Sequence, residues 1–208
     1  MFDKLLDFVA PHICCGCGNV GSILCEHCID DISNEPFTLC VYCLLPSSSS
    51  NICKSCKEFP VADAWAVSTR TGTLKELIDA YKFERVTAAD AILAQLLDMR
   101  LPVLPPETLI TAVPTSSAHI RRRGYDHTAR IAKRFARMRQ LRYKPLLKRT
   151  HDLDQLGADR TKRLRQQQNA FVSKVKSISA PVLIIDDIMT TGATIKASTG
   201  ALASVTEQ

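Results

Sequence analysis

The sequence predicts an α/β protein, a parallel sheet with flanking helices, preceded by a small metal-binding segment. Three observations carry that expectation. Val182–Ile185 is a short unbroken apolar run and Leu109–Val113 a second, interrupted only by Thr111, the pattern of strands covered by helices on both faces. Helical periodicity occupies Thr73–Tyr81, Ala88–Met99, Thr128–Leu141 and the residues from Ala193 onward. Eight of the nine cysteines stand in four C-x-x-C pairs near the N-terminus.

A chain of 208 residues with 46% apolar and 23% charged residues has the composition of a globular protein. The expected division is a cysteine module over 1–60 and an α/β domain over 61–208. The formal charge is +6, concentrated in the Arg- and Lys-rich stretch 120–165, which suits a phosphate-rich ligand or a nucleic acid. No run approaches the ~20 apolar residues of a membrane span. Met1–Ala10 alternates charge with apolar residues, so it reads as a short amphipathic helix and not a signal peptide. A cytoplasmic setting follows, in which cysteines are read as metal ligands before disulfides.

The pairs are Cys14/Cys17, Cys25/Cys28, Cys40/Cys43 and Cys53/Cys56. A C-x-x-C turn presents two thiolates at one corner of a tetrahedron, and two turns close a Cys₄ zinc site. The simplest arrangement joins the first pair to the second and the third to the fourth, giving two tandem ribbons; a cross-braced pairing of first with third and second with fourth stays open. One or two structural Zn²⁺ ions are therefore expected. Gly16 and Gly18 permit the first tight turn, Cys15 is left over, and His12 and His27 are spare donors. The rival readings are a disulfide cluster and a thioredoxin-like redox pair.

Beyond the cysteines, Ala64–Val67 within Val61–Ser68 reads as a first strand, followed by the helices Thr73–Tyr81 and Ala88–Met99 and a Pro-rich turn over Leu101–Pro106. The strand Leu109–Val113 stops at Pro114-Thr115-Ser116-Ser117, where small residues leave backbone amides facing an anion. The triplet Arg121-Arg122-Arg123 follows, and guanidinium groups grip phosphate as a bidentate fork. In Thr128–Leu141, Ile131, Phe135 and Met138 point inward, while Lys133, Arg134, Arg137 and Arg139 point outward.

The most informative stretch is Pro181–Thr194. Val182–Ile185 reads as a central strand that ends on Asp186 and Asp187, then on Thr190-Thr191-Gly192-Ala193-Thr194, then on a helix. Ligands of open α/β sheets sit beyond the carboxyl ends of the strands. A helix N-terminus suits a phosphate, and Gly192 lets the backbone approach it. Two carboxylates would repel that phosphate, so they suit sugar hydroxyls or a Mg²⁺ ion carrying further phosphates. A ribose with a terminal phosphate and a metal-bound diphosphate meets all three demands.

These residues resemble the phosphoribosyl-pyrophosphate (PRPP) loop of type I phosphoribosyltransferases. The whole chain resembles the ComF branch of that family, amidophosphoribosyltransferase-like proteins linked to DNA uptake in competent bacteria. Val113-Pro114 matches a family Val-Pro start, and Arg121–His127 resembles the family's Arg-x-Arg-Gly-Phe-Asn-Gln, with Tyr125, Asp126 and His127 as departures. Gln155, Leu156, Gly157, Arg160, Arg163, Asn169, Ala170 and Phe171 keep the order of a family loop that closes over the site.

The resemblance implies a type I phosphoribosyltransferase-like domain behind an N-terminal double zinc ribbon. It implies Mg²⁺-PRPP as ligand, with Asp186 and Asp187 catalytic on the ribose and the 5-phosphate on Thr190, Thr191, Gly192, Ala193 and Thr194. Pyrophosphate is placed against Pro114, Thr115 and Ser116, with Lys82, Arg121 and Arg123. The family carries a further strand after the last helix, so the expectation is either a domain lacking its final strand or a truncated version of it. The implied activity is phosphoribosyl transfer to an unknown nitrogenous acceptor. The alternative is a non-catalytic PRPP sensor or single-stranded-DNA adaptor working with other competence proteins, for which Tyr125 and Tyr143 are the stacking candidates. A redox or zinc-storage module is the third reading.

Overall fold

The computed structural model describes residues 12–35, 37–47, 52–56, 61–150, 170–190 and 192–206. It divides into two compact units, each discontinuous in sequence: the described residues within Met1–Phe37 and Ala66–Arg100, and those within Thr38–Trp65 and Leu101–Gln208. Each unit holds one pair of C-x-x-C turns.

The first unit is helical. Helix α1 (Glu26–Asn34) begins directly on Cys25, and α2 (Gly72–Phe83) and α3 (Ala89–Arg100) pack against it and each other. The stripe Leu74, Leu77, Ile78 and Tyr81 of α2 is buried, as its spacing predicts, with Leu77 and Tyr81 wholly enclosed. The strand expected over Val61–Ser68 does not form. The Arg100 side chain instead donates to the carbonyls of Ala66 at 3.2 Å and Val67 at 2.9 Å, and to that of Glu35 at 2.6 Å. A guanidinium thus takes carbonyls that a neighbouring strand would otherwise need.

The second unit is the α/β part. Strand β1 (Leu109–Ala112) leads through α4 (Ser117–Arg123) and α5 (His127–Met138) to β2 (Arg142–Tyr143). A short antiparallel pair, β3 (Leu147–Arg149) and β4 (Phe171–Ser173), precedes β5 (Val182–Ile185) and α6 (Ala193–Ala203). The three main strands form a parallel sheet in the order β2-β1-β5. The central strand is therefore β1, wholly buried, while β5 lies at the edge of the described sheet with only Ile185 fully covered. An apolar run signals covered faces, not the number of ladder partners, which is why sequence placed β5 at the centre.

Register fixes the site. Leu109 pairs with Val182 and Ala112 with Ile185, and Val113 N–H donates to the Ile185 carbonyl at 2.9 Å. The residues following β1 and β5 consequently emerge side by side at the carboxyl end of the sheet. Helix α5 packs on β1 and β2 through Ile131, Ala132, Phe135 and Ala136. Met138, expected inward, is 45% exposed, because the buried arc shifts toward the helix start and ends at Ala136. Arg139, expected outward, folds back to donate to the carbonyls of Leu101 at 3.0 Å and Pro102 at 2.8 Å. Helix α6 packs on β4, β3 and β5, with Ala197 and Leu202 in one apolar cluster with Leu146, Leu147, Phe171 and Ile178. After α6 the chain forms a single parallel bridge, Ile178 with Thr206.

Candidate metal centres and anion site

Two sulfur clusters form, Cys14/Cys17/Cys25/Cys28 and Cys40/Cys43/Cys53/Cys56, with the four ligand atoms of each lying within 4.8 Å of one another. The pairing is thus first with second and third with fourth. Tetrahedral zinc at 2.3 Å from each sulfur sets neighbouring sulfurs about 3.8 Å apart. Cys17 and Cys25 stand at 3.6 Å, as do Cys43 and Cys53, far beyond a disulfide bond. Both clusters fit zinc, and all nine cysteines are free thiols. The spare donors take no part: His27 lies 3.7 Å from Asp31 on the exposed side of α1, and Cys15 stands apart, its thiol pushed up by burial.

The two centres are local copies. In each, the first cysteine's sulfur accepts a backbone N–H at 3.4 Å, Cys25 to Cys14 and Cys53 to Cys40. In each, that cysteine's carbonyl accepts from the residue four on, Gly18 at 3.0 Å and Leu44 at 2.9 Å. The closing bridges Ile13–Val20 and Leu39–Pro46 also correspond. Burial opposes ionisation of the Cys14 and Cys40 thiols, but surrounding backbone N–H groups outweigh it and hold both at about 6. Cys28 and Cys56 go the other way, to about 12, through burial and the neighbouring sulfurs. Each metal-free cluster therefore keeps one thiolate poised to start metal binding.

Gly16 is required by space. A methyl group there would fall 2.6 Å from Cys28 Sγ and 2.8 Å from Thr73 Cγ2. Gly18 is required by its backbone, at φ 77°. Its counterpart Leu44 adopts φ 57° without being glycine.

At the carboxyl end of the sheet, Asp186 and Asp187 follow β5 directly. Asp186 Oδ1 accepts from Asp187 N–H, and Asp187 Oδ1 accepts from Ile188 N–H, both at 2.9 Å. These bonds hold the acidic turn open after the strand. Gly192, at φ 68°, starts α6 with no side-chain cap. Thr190 and Thr194 are exposed, Ala193 is half-buried, and Thr191 lies outside the described residues. The N-terminus of an eleven-residue helix that begins on glycine, which brings no side-chain cap of its own, is a favourable place for an anion.

The loop after β1 supplies the other wall. Pro114, Thr115 and Ser116 are half-buried, and Ser116 Oγ caps α4 by accepting from His119 N–H at 3.3 Å. Arg121 is exposed, whereas Arg123, two residues on, is buried. The Arg123 guanidinium lies 2.9 Å from His127 Nδ1. His127 Nε2 in turn stands 2.7 Å from Asp187 Oδ2. Asp126 caps α5, accepting from Ala129 N–H at 3.0 Å and from the Thr115 hydroxyl at 2.8 Å. Lys82 is in the last turn of α2, in the other unit. The segment 155–169, expected to form a closing loop, lies outside the described residues.

Two participants were missed in the sequence. His127 was read only as a departure from a family glutamine, though its place just after an Asp helix cap was a usable signal. Tyr42, whose backbone and ring border Gly192, left no local signal. The stacking candidates are already engaged: Arg130 stands 5.2 Å over the Tyr125 ring and Lys133 5.5 Å over Tyr143.

Fold and site together define an α/β protein with a parallel sheet, two Cys₄ zinc-type centres and an acidic turn leading into a helix that begins on glycine. The chain is similar to the competence protein ComFC of Streptococcus pneumoniae (strain ATCC BAA-255 / R6), 25% identical over 180 residues, 85% of this chain and 80% of that one. No family model matches. Among the described residues, no helix is long and apolar enough to cross a membrane.

Proposed function

We propose that this chain binds Mg²⁺-PRPP at the carboxyl end of its sheet and serves DNA uptake in a cytoplasmic setting. The observation that carries the reading is the β1–β5 register, which sets the Asp186–Asp187 turn beside Pro114–Ser116, with α6 starting on Gly192 a few residues further along the chain. The 5-phosphate is assigned to the amides of α6 and the hydroxyls of Thr190, Thr191 and Thr194, and the ribose hydroxyls to Asp186 and Asp187. The diphosphate and its Mg²⁺ are assigned to Pro114–Ser116, with Arg121 and Arg123 as the cationic groups. The all-oxygen donor set of the acidic turn suits Mg²⁺.

In a transferase reaction the C1–oxygen bond breaks and pyrophosphate leaves with the electron pair. Positive charge on the ribose ring is stabilised by the carboxylates while a nitrogen nucleophile attacks C1 and loses a proton. The similarity to ComFC supports the link to competence, and 25% identity leaves the acceptor undefined. The adaptor reading gains less support, because the faces of Tyr125 and Tyr143 already carry the chain's own cations.

Calorimetric titration of the zinc-loaded protein with PRPP and Mg²⁺, alongside Asp186→Asn/Asp187→Asn, tests the reading. Saturable binding that the variant loses is the expected result. Absence of binding by the intact protein sinks it, and salt-sensitive binding of single-stranded DNA in its place favours the adaptor.

A further inference from the structure

We infer that the second cysteine centre is part of the anion site, and that Tyr42, carried between its ligands Cys40 and Cys43, is a positioning residue for Gly192. The inference rests on the anion site proposed above and goes beyond a scaffold role for the metal.

Gly192 is buried and left-handed at the point where α6 begins. A methyl group on it would stand 3.3 Å from the Tyr42 carbonyl oxygen, 3.4 Å from ring carbon Cδ1 and 3.5 Å from Tyr42 Cα. The main chain of the cysteine turn thus forms the surface against which the glycine lies. Tyr42 is itself only 8% exposed, and its neighbours Cys40 and Val41 are buried. It has little freedom while the turn is closed.

The turn is held by two short backbone bonds, Cys40 N–H to Leu45 at 2.8 Å and Leu44 N–H to Cys40 at 2.9 Å. Nothing covalent ties it to Cys53 and Cys56. A metal held by all four sulfurs, which already lie within 4.8 Å of one another, would supply that cross-link and order the segment. Ordering Cys40–Cys43 orders Tyr42, and Tyr42 limits where Gly192 and the first amides of α6 can lie. The first centre belongs to the other compact unit. Coupling of this kind is reciprocal: if metal at the second centre favours the anion, the anion retains that metal by the same factor.

The test uses the full chain with both centres loaded with zinc. Cys56→Ser and Cys28→Ser each disable one centre, and Tyr42→Ala leaves all eight ligands in place. Zinc content, Mg²⁺-PRPP and inorganic phosphate affinity, and amide exchange over residues 192–196 are measured for each. Cys56→Ser is expected to weaken both ligands by about tenfold and to speed exchange at 192–196, with Cys28→Ser close to the parent. Tyr42→Ala is expected to keep two zinc ions and still lose affinity severalfold. In the parent, PRPP is expected to slow transfer of one zinc of the two to a chromogenic chelator. Equal loss in the two cysteine variants, or parental affinity and exchange in Tyr42→Ala, overturns the coupling. A parent that binds neither ligand sinks the anion site itself, a failure told apart from loss of coupling by the exchange at 192–196, which needs no ligand.

Discussion

His127 Nε2 lies 2.7 Å from Asp187 Oδ2, and the opposite ring nitrogen faces the buried Arg123 guanidinium at 2.9 Å. One imidazole joins the start of α5, the end of α4 and the acidic turn after β5.

Removing this ring leaves a buried cation and a nearly buried carboxylate facing each other across a gap. His127→Ala is expected to lower unfolding free energy by about 2–4 kcal/mol, the range for breaking a buried charged network. His127→Gln restores an uncharged donor and acceptor and is expected to recover at least half of that loss. Urea unfolding of the zinc-loaded protein measures both. Equal destabilisation by Gln and Ala would show that ring packing, not polar contact, is what matters.

Leu44 occupies the position that Gly18 fills in the first centre, and both have positive φ. Its side chain is 44% exposed, so little packing is lost on truncation. Leu44→Gly is expected to stabilise the second centre by roughly 0.5–1 kcal/mol, and Gly18→Leu to destabilise the first by a similar amount or more. Thermal unfolding at fixed zinc concentration separates these outcomes. A lower midpoint for Leu44→Gly would refute the correspondence of the two turns.

Gly16→Ala tests a different constraint. Its methyl group collides with Cys28 Sγ and Thr73 Cγ2, so the cluster or α2 must shift. The expected cost is about 1–3 kcal/mol, with weaker zinc retention at the first centre only. Competition with a chelator, followed for each zinc, reads this directly.

Metal-free protein should show an opposed pH response in its clusters. The Cys14 and Cys40 thiols are lowered from 9.0 to about 6, so their stabilising contribution is complete above pH 9 and lost as pH falls through 6. Cys28 and Cys56 are raised to about 12, so theirs is complete below pH 9 and lost as pH rises toward 12. Zinc binding at pH 7.5 is therefore expected to release fewer protons than there are sulfur ligands, because one thiolate per centre is already formed. Calorimetry in buffers of different ionisation enthalpy counts them. Release of a full set of four protons per zinc would contradict the N–H stabilisation of Cys14 and Cys40.

Much of this protein is written locally. The four C-x-x-C pairs determine the ligands, because two sulfurs three residues apart meet at one corner whatever the rest does. The largely apolar stretches 109–112 and 182–185 determine two strands, and Asp126, Ser116 and Gly192 mark helix starts through short-range capping and backbone preference. Non-local competition decided the rest. Val61–Ser68 has strand-like composition, yet Arg100, over thirty residues away, holds the Ala66 and Val67 carbonyls. Whether β5 is central depends on which strands find partners, and Val182–Ile185 carries no record of that. The pairing of the cysteine turns, first with second and third with fourth, was set by the fold of the intervening chain. Nor does sequence reveal that Tyr42 borders Gly192 or that His127 reaches Asp187, since residues 150 and 60 positions apart meet only once the parallel register of β1 and β5 is made. Periodicity and spacing report what a residue prefers among its neighbours in the chain. Neighbours in space are settled by the packing of whole elements.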